Sequence, residues 1–306
     1  MIHPNFKEYL PSYYFSTINP HAAYPKLEGC LKTETCVIGG GLTGLCTALP
    51  LAENGRKVTV LEAARIGFGA SGRSGGQVIS DYACGMEEIE KQVGLEQARW
   101  FWQQSLQAVE LVDERVKKHQ ISCDWQRGYA TVAIRPQHWE ELQQWHEHAR
   151  QHYGATHYQL WDKATLKQQL ASDMYLGAQF DPHSGHLHPL NYTLGIARAA
   201  AEAGAQIFEQ SPMTRIEPHQ GGWLVHTPDG SIECQNLVYA VNTYAGLHQK
   251  FKPLEKKAIA VSTFIIATEP LGERAKELIR NNMAVCDNRH VLDYYRLSAD
   301  GRLLFG

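Results

Sequence analysis

At 306 residues the chain exceeds one typical domain and can bury a sizeable core, so two domains are expected. A formal charge of -3, with basic residues scattered rather than blocked, excludes nucleic acid as a partner. No apolar run reaches the roughly 18 to 20 residues that cross a bilayer. The start, Met1-Ile-His-Pro-Asn-Phe-Lys-Glu, lacks the basic and apolar parts of a signal peptide, so a cytoplasmic protein without a membrane span is expected.

Pro4 to Pro25 reads as a Pro/Tyr-rich arm over the surface. Residues 35 to 62 then form one complete dinucleotide-binding βαβ unit. Cys36 to Ile38 feed Gly39-x-Gly41-x-x-Gly44, a helix follows from Leu42 to Asn54, Gly55 stops it, and Val58 to Leu61 supply a second strand ending at Glu62. Gly39 allows the tight turn, Gly41 admits a pyrophosphate against bare backbone, and Gly44 lets helix and strand pack closely. The helix start offers free N–H groups and a positive dipole end. Glu62, about twenty residues on, suits the ribose hydroxyls.

The stretch Ile66-Gly-Phe-Gly-Ala-Ser-Gly-Arg-Ser-Gly-Gly-Gln77 departs from a nicotinamide-binding continuation. Its backbone N–H groups, two hydroxyls and one guanidinium suit a second phosphate and a ribityl chain, the alternative being a flexible linker. Downstream, a helix is expected from Met86 to His119, with Ile89, Val93, Phe101, Val109, Val112 and Val116 facing inward. Two short strands joined near Arg127-Gly128 occupy Cys123 to Ile134. Trp139, Leu142, Trp145 and Ala149 mark another helix, and Asp162 is an N-cap. Strands return between Met174 and Leu187.

Leu190 to Ala203 is an alanine-rich helix closed by Gly204. Strands follow at Gln206 to Glu209, Met213 to Pro218, Trp223 to Thr227 and Ser231 to Val241, then a long one at Ile259 to Thr268. Tyr294 to Gly306 reads as strand, turn at Asp300-Gly301, and strand. His183, His186 and His188 stand on a turn with no acid or cysteine close in sequence, which argues against a metal site. The histidines from His138 to His157 read as a solvated helix face. Seven cysteines, with no Cys-x-x-Cys pair, read as reduced thiols; Cys36 and Cys46 are packing residues.

Taken together, Val37-Ile-Gly-Gly-Gly-Leu-Thr-Gly44, Val60-Leu-Glu62, Gly69-Ala-Ser-Gly-Arg-Ser-Gly-Gly-Gln77, His188-Pro189 and Tyr295-Arg-Leu-x-x-Asp-Gly-Arg-Leu-Leu-Phe-Gly306 resemble the D-amino-acid oxidase superfamily of FAD-dependent amine oxidoreductases. The likeness covers about residues 30 to 306. It implies an α/β fold: an FAD-binding doubly wound, Rossmann-like domain with an interleaved α+β substrate domain on a mixed or antiparallel sheet. The ranges expected are an arm at 1–29, FAD domain at 30–119 and 188–252, and substrate domain at 120–187 and 253–306.

Carried over residue by residue, the resemblance implies FAD contacts from Gly39, Gly41, Leu42, Thr43, Gly44, Glu62, Ala63, Ala70, Ser71, Arg73, Ser74, Gly75, Gln77 and Met213. Leu237 to Tyr244 resembles the family's strand-turn beside the nucleotide, with Asn242 where many relatives carry Gly. The implied chemistry is oxidation of a C–N bond by hydride transfer to flavin N5, imine hydrolysis, and reoxidation by oxygen to hydrogen peroxide. The substrate would be a small amine such as a γ-glutamylated polyamine; a sarcosine, glycine or D-amino-acid type of oxidation and a flavin-linked amine dehydrogenase stand as rivals. Tyr294, Tyr295 and Arg296 are substrate-side candidates, since aromatics frame an amine and Arg pairs with a carboxylate, with ordinary strand packing the alternative. No catalytic side chain is singled out, and a homo-oligomer stays open. The family's C-terminal glycine-rich segment would lie beyond Gly306, so the chain reads as part of a longer protein, with a non-catalytic fragment as the rival of another class.

Overall fold

The structure, a computed structural model, describes residues 8–247 and 261–306. The chain divides into two compact units, each assembled from three separated stretches.

The first unit comprises Met1–Ser74, His119–Cys123 and Pro189–Ser262. Its sheet is centred on β1 (Gly29–Ile38), which pairs in parallel with β2 (Val58–Leu61) on one side and β10 (Gly230–Tyr239) on the other. Beyond β2 lies β7 (Gln206–Phe208), also parallel. Beyond β10 lie β9 (Gly222–His226) and β8 (Arg215–His219), both antiparallel. Val58 to Leu61 are all buried, as expected of a parallel strand covered on both faces. Helix α2 (Leu42–Glu53) connects β1 to β2, and α7 (Pro189–Glu202) packs beside it. Cys36, Ile38, Leu61, Val225, Ile232 and Cys234 share the core below β1. The arm is tied down at intervals: the Tyr9 hydroxyl donates to the Ile66 carbonyl at 2.7 Å, and the Asn19 amide to Asn191 Oδ1 at 2.9 Å.

The second unit comprises Gly75–Lys118, Asp124–His188 and Thr263–Gly306. Its mixed sheet runs in the order β11 (Ile266–Ala267), β14 (Leu303–Phe305), β13 (Tyr294–Leu297), β12 (Ala284–Asp287), β4 (Gln126–Ala133), β6 (Gly177–His186), β3 (Gln77–Val78), with β5 (Gln159–Asp162) on β6. Among the described residues only β12 and β4 are parallel neighbours in this sheet. Ala130, Val132, Ala178, Val285 and Leu297 face one side, covered by Leu166 of α6 (Lys163–Lys167) and Ala275 of α8 (Glu273–Leu278). Tyr129, Ala284, Cys286 and Tyr294 cluster on the other side, as strand alternation requires. Asp162 caps α6 by accepting from the Thr165 amide at 2.8 Å.

Several sequence expectations need correction. Residues 75–118 group with the second unit, so the first unit's opening stretch ends at Ser74 rather than at 119. The expected single helix from Met86 to His119 is two, α3 (Met86–Val93) and α4 (Leu95–Lys118), because Gly94 adopts φ +79° and ends the first. The buried stripe of α4 is Ala98, Trp102, Ser105, Val109 and Asp113, while Val93 is 36 % exposed and Val112 and Val116 are only half-buried. The two strands expected between 123 and 134 are one, β4. Gly128, at φ +112°, makes a bulge there instead of a hairpin turn. Of Ile259 to Thr268, residues 259 and 260 lie outside the described residues, and only Ile266–Ala267 form strand. The histidines from 138 to 157 are half-buried rather than solvated: His148 stacks on Trp145 and bonds Glu90 at 2.8 Å.

Candidate cofactor and substrate site

In the first unit the site grows from the end of β1. Gly39 takes φ +110°, and a Cβ there would lie 2.4 Å from the Ala240 carbonyl oxygen. A Cβ on Gly44 would lie 2.0 Å from the Gly39 carbonyl oxygen, so only glycine lets α2 start this close to the strand. Gly41 is the N-cap of α2 and supplies no capping side chain. Ser71, from the glycine-rich loop, does so instead: its Oγ accepts from the Leu42 amide at 3.0 Å. Replacing it, Ser71→Ala, is expected to lower stability by about 1 kcal/mol, read from the denaturant midpoint at constant slope.

Glu62 sits beside the turn with one oxygen on each of two backbone amides: Oε2 accepts from Gly40 at 2.7 Å and Oε1 from Ala64 at 2.8 Å. Burial pushes its carboxyl above the usual carboxylate range, against the pull of the Ala64 and Gly40 amides. Each oxygen keeps a further acceptor site for a hydroxyl. Thr43, in the first turn of α2, and Ala63, Ala70, Arg73 and Ser74, along the loop, are exposed. The Arg73 Nε donates to the Gly69 carbonyl at 3.2 Å, and its guanidinium lies 5.6 Å over the Phe68 ring. These bonds close the short turn Ala70–Gly72 and argue against a flexible linker.

Met213 lies in the connection from β7 to β8, half-buried against the core of this unit. Asn242 adopts φ +50°, a left-handed conformation that Asn tolerates better than most residues. Sequence reading missed Glu209, which is 2 % exposed: it accepts from the Ile66 amide at 2.7 Å and pairs with Arg65 at 3.0 Å, fixing the loop after β2. Nothing local to Glu209 marks it, since its partners lie more than a hundred residues earlier.

In the second unit the turn Gly75–Gln77 is held from three sides. The Gly75 carbonyl accepts from Arg296 Nε at 2.7 Å, the Gly76 carbonyl from the Leu187 amide at 2.8 Å, and Gln77 Nε2 donates to the Val285 carbonyl at 3.4 Å. Tyr294 packs against Gly75, where a Cβ would lie 2.8 Å from its ring. Arg296 is 4 % exposed and also donates to the Leu297 carbonyl at 3.2 Å. Tyr295 points to the opposite face: its hydroxyl donates to the Tyr175 hydroxyl at 2.9 Å and its ring stacks on Phe305. The three substrate-side candidates are thus divided, Tyr295 lying in the core and Tyr294 with Arg296 beside the glycine turn.

His186 and His188 are buried, and burial, reinforced by the charge of Arg296, pulls each imidazole down to about 4. His186 Nε2 meets the Asn282 carbonyl at 2.7 Å, which leaves the neutral tautomer with its proton on that nitrogen. Tyr129 and Cys286, unremarked in the sequence, lie on the Tyr294 face; burial raises the Tyr129 hydroxyl well above its usual range and the Cys286 thiol to about 11. Both are neutral at physiological pH. Among the described residues no three His, Cys, Asp or Glu side chains converge on a metal position, and no helix is long and apolar enough to cross a membrane. None of the seven cysteines is in a disulfide among the described residues.

A glycine turn at the carboxyl end of a central parallel strand, a helix N-terminus and an acid at the end of the next strand define a dinucleotide-binding α/β protein. Comparison with known proteins narrows this. Residues 34–306 match the DAO family model, described as FAD dependent oxidoreductase. The chain is 46 % identical over 309 residues to a probable oxidoreductase OrdL of Haemophilus influenzae, covering 100 % of this chain and 72 % of that protein. It is 40 % identical over 301 residues to the gamma-glutamylputrescine oxidoreductase of Escherichia coli K12, covering 98 % and 70 %. Among solved structures, glycine oxidase from Geobacillus kaustophilus has the same fold, with TM-score 0.69 at 18 % identity over 90 % of this chain and 71 % of that one. The chain belongs to the DAO family of FAD-dependent oxidoreductases.

The residues fit that cofactor. A Cβ at Gly41 would fill the space before the α2 N-terminus, meeting Ser71 Oγ at 2.8 Å, so the bare backbone of the motif is what leaves a cradle for phosphate.

Proposed function

We propose that the protein oxidises a C–N bond of γ-glutamylputrescine or a similar amino-acid-derived amine and passes the electrons to oxygen. The observation that carries this reading is the 40 % identity, over 98 % of the chain, to a protein named for gamma-glutamylputrescine. FAD, when bound, supplies the acceptor for a hydride from the carbon next to the substrate nitrogen. In this reading Gly41 and Thr43 offer backbone to the pyrophosphate, Gly39, Leu42 and Gly44 shape the turn around it through their own hydrogen bonds and close packing, and Glu62 takes the ribose hydroxyls. Ala63, Ala70, Ser71, Arg73, Ser74, Gly75, Gln77 and Met213 complete the cofactor contacts.

Tyr294, Tyr129 and Cys286 would then present a buried, uncharged surface to the substrate, one that favours the neutral amine and excludes water around the carbon that loses hydride. Neutral His186 and His188 add no positive charge to repel a substrate that arrives as an ammonium. Seven cysteines without a disulfide suit a reducing compartment such as the cytoplasm.

The test is the visible spectrum of the purified protein before and after anaerobic addition of γ-glutamylputrescine. Bleaching of bound flavin, followed on admitting air by one peroxide per turnover, is the expected result. Bleaching by sarcosine or glycine alone would move the substrate class, and bleaching without peroxide in air would make the protein a dehydrogenase.

A further inference from the structure

Arg296 was expected to meet a substrate carboxylate, yet its side chain is committed elsewhere. It is 4 % exposed; its Nε donates to the Gly75 carbonyl at 2.7 Å across 221 residues of sequence, and Nη1 donates to the Leu297 carbonyl. The strand that carries it is fixed on both sides, by Tyr295 opposite Val285 and Arg296 opposite Leu304. The same strand sets Tyr294 against Gly75, so one short element grips the turn by a charged hydrogen bond and a ring. A guanidinium donor to a carbonyl is stronger than a neutral amide donor, and burial strengthens it further.

We propose that Arg296 is a positioning residue that holds the Gly75–Gln77 turn in the shape required by the flavin end of FAD, rather than a partner for substrate. The proposal rests on the flavin reading above. On that reading Gly39–Gly44 and Glu62 serve the adenosine diphosphate part of FAD, and the turn that Arg296 holds serves the flavin.

The experiment titrates the flavin-stripped protein with FAD and, separately, with ADP, for wild type, Arg296→Met and Arg296→Lys. The expected result is an FAD dissociation constant at least tenfold weaker in Arg296→Met with the ADP constant unchanged, and a partial recovery in Arg296→Lys, which restores the charge without the planar fork. Gly75→Ala guards against a variant that does not fold. It leaves the arginine in place but forces a Cβ to within 2.8 Å of the Tyr294 ring, and should give the same split between FAD and ADP. Equal FAD affinity in wild type and Arg296→Met overturns the inference, as does parallel loss of FAD and ADP, which would mark a general structural role. Wild-type protein that binds ADP but not FAD would overturn the flavin reading itself.

Discussion

Gly44→Ala is expected to yield protein that purifies without flavin. The added methyl would sit 2.0 Å from the Gly39 carbonyl oxygen and 3.1 Å from Val37 Cγ1. The first neighbour is backbone, and no rotamer change can relieve the clash. Gly39 has little room to retreat, since its amide donates to the Leu61 carbonyl at 2.8 Å and its own Cβ position is blocked by Ala240. Helix α2 must therefore tilt away from β1, which re-aims the amides proposed to face the phosphates and opens the packing of Leu45, Ala48 and Leu49. Overpacking of this kind costs about 1 to 3 kcal/mol and more where backbone must move. Gly55→Ala is the control: its φ is +71° but nothing lies within 4 Å, so a strain of about 1 to 2 kcal/mol with flavin retained is expected. Absorbance of equal protein amounts in the flavin band, with thermal melts, reads both. A full flavin complement in Gly44→Ala would refute the argument.

Acid should destabilise the protein well before its carboxylates are titrated. His186 and His188 have pKa values of about 4 in the folded protein against 6.5 for the free side chain. The unfolded chain therefore binds these two protons first. Their contribution is complete above pH 6.5, falls as pH drops through that value, and is gone near pH 4. Each histidine accounts for up to about 3 kcal/mol, from roughly 1.4 kcal/mol per pKa unit. Carboxylates held low by partners, such as Glu90 beside Tyr153 and His148, act in the same direction but at lower pH. Urea midpoints for wild type and His186→Gln between pH 8 and pH 4.5 should show a steep fall in the first and a shallower one in the second. Parallel curves would show that His186 is not the neutral buried group described.

The βαβ unit was legible because its determinants are local. Gly39, Gly41, Gly44 and Glu62 act on one another within a single strand-helix-strand, and their spacing is itself the geometry. Features built by distant residues were not. Arg296 reads in the sequence as a substrate-side candidate, with strand packing the alternative, because its bond to Gly75 depends on how β13 is laid into the sheet. Tyr129 escaped notice because the bulge at Gly128 breaks the alternation that would have assigned it a face. The Gly94 break was overridden by an apolar pattern that runs on through both helices, although a φ of +79° is one that glycine adopts readily.

The order in which the sheet of the first unit is threaded sets a timetable for synthesis. The middle strand, β1, has its partner β2 within some twenty residues, but its other partner, β10, begins roughly two hundred residues later. At about 5 to 20 residues per second on the ribosome, that is an interval of roughly ten to forty seconds. Throughout it, Thr35, Cys36, Val37 and Ile38 present one unfilled edge of backbone donors and acceptors, with an apolar run beside them. The nascent chain thus passes through a stage in which the strand that ends in the glycine motif is also an open edge of the kind that invites pairing with other chains.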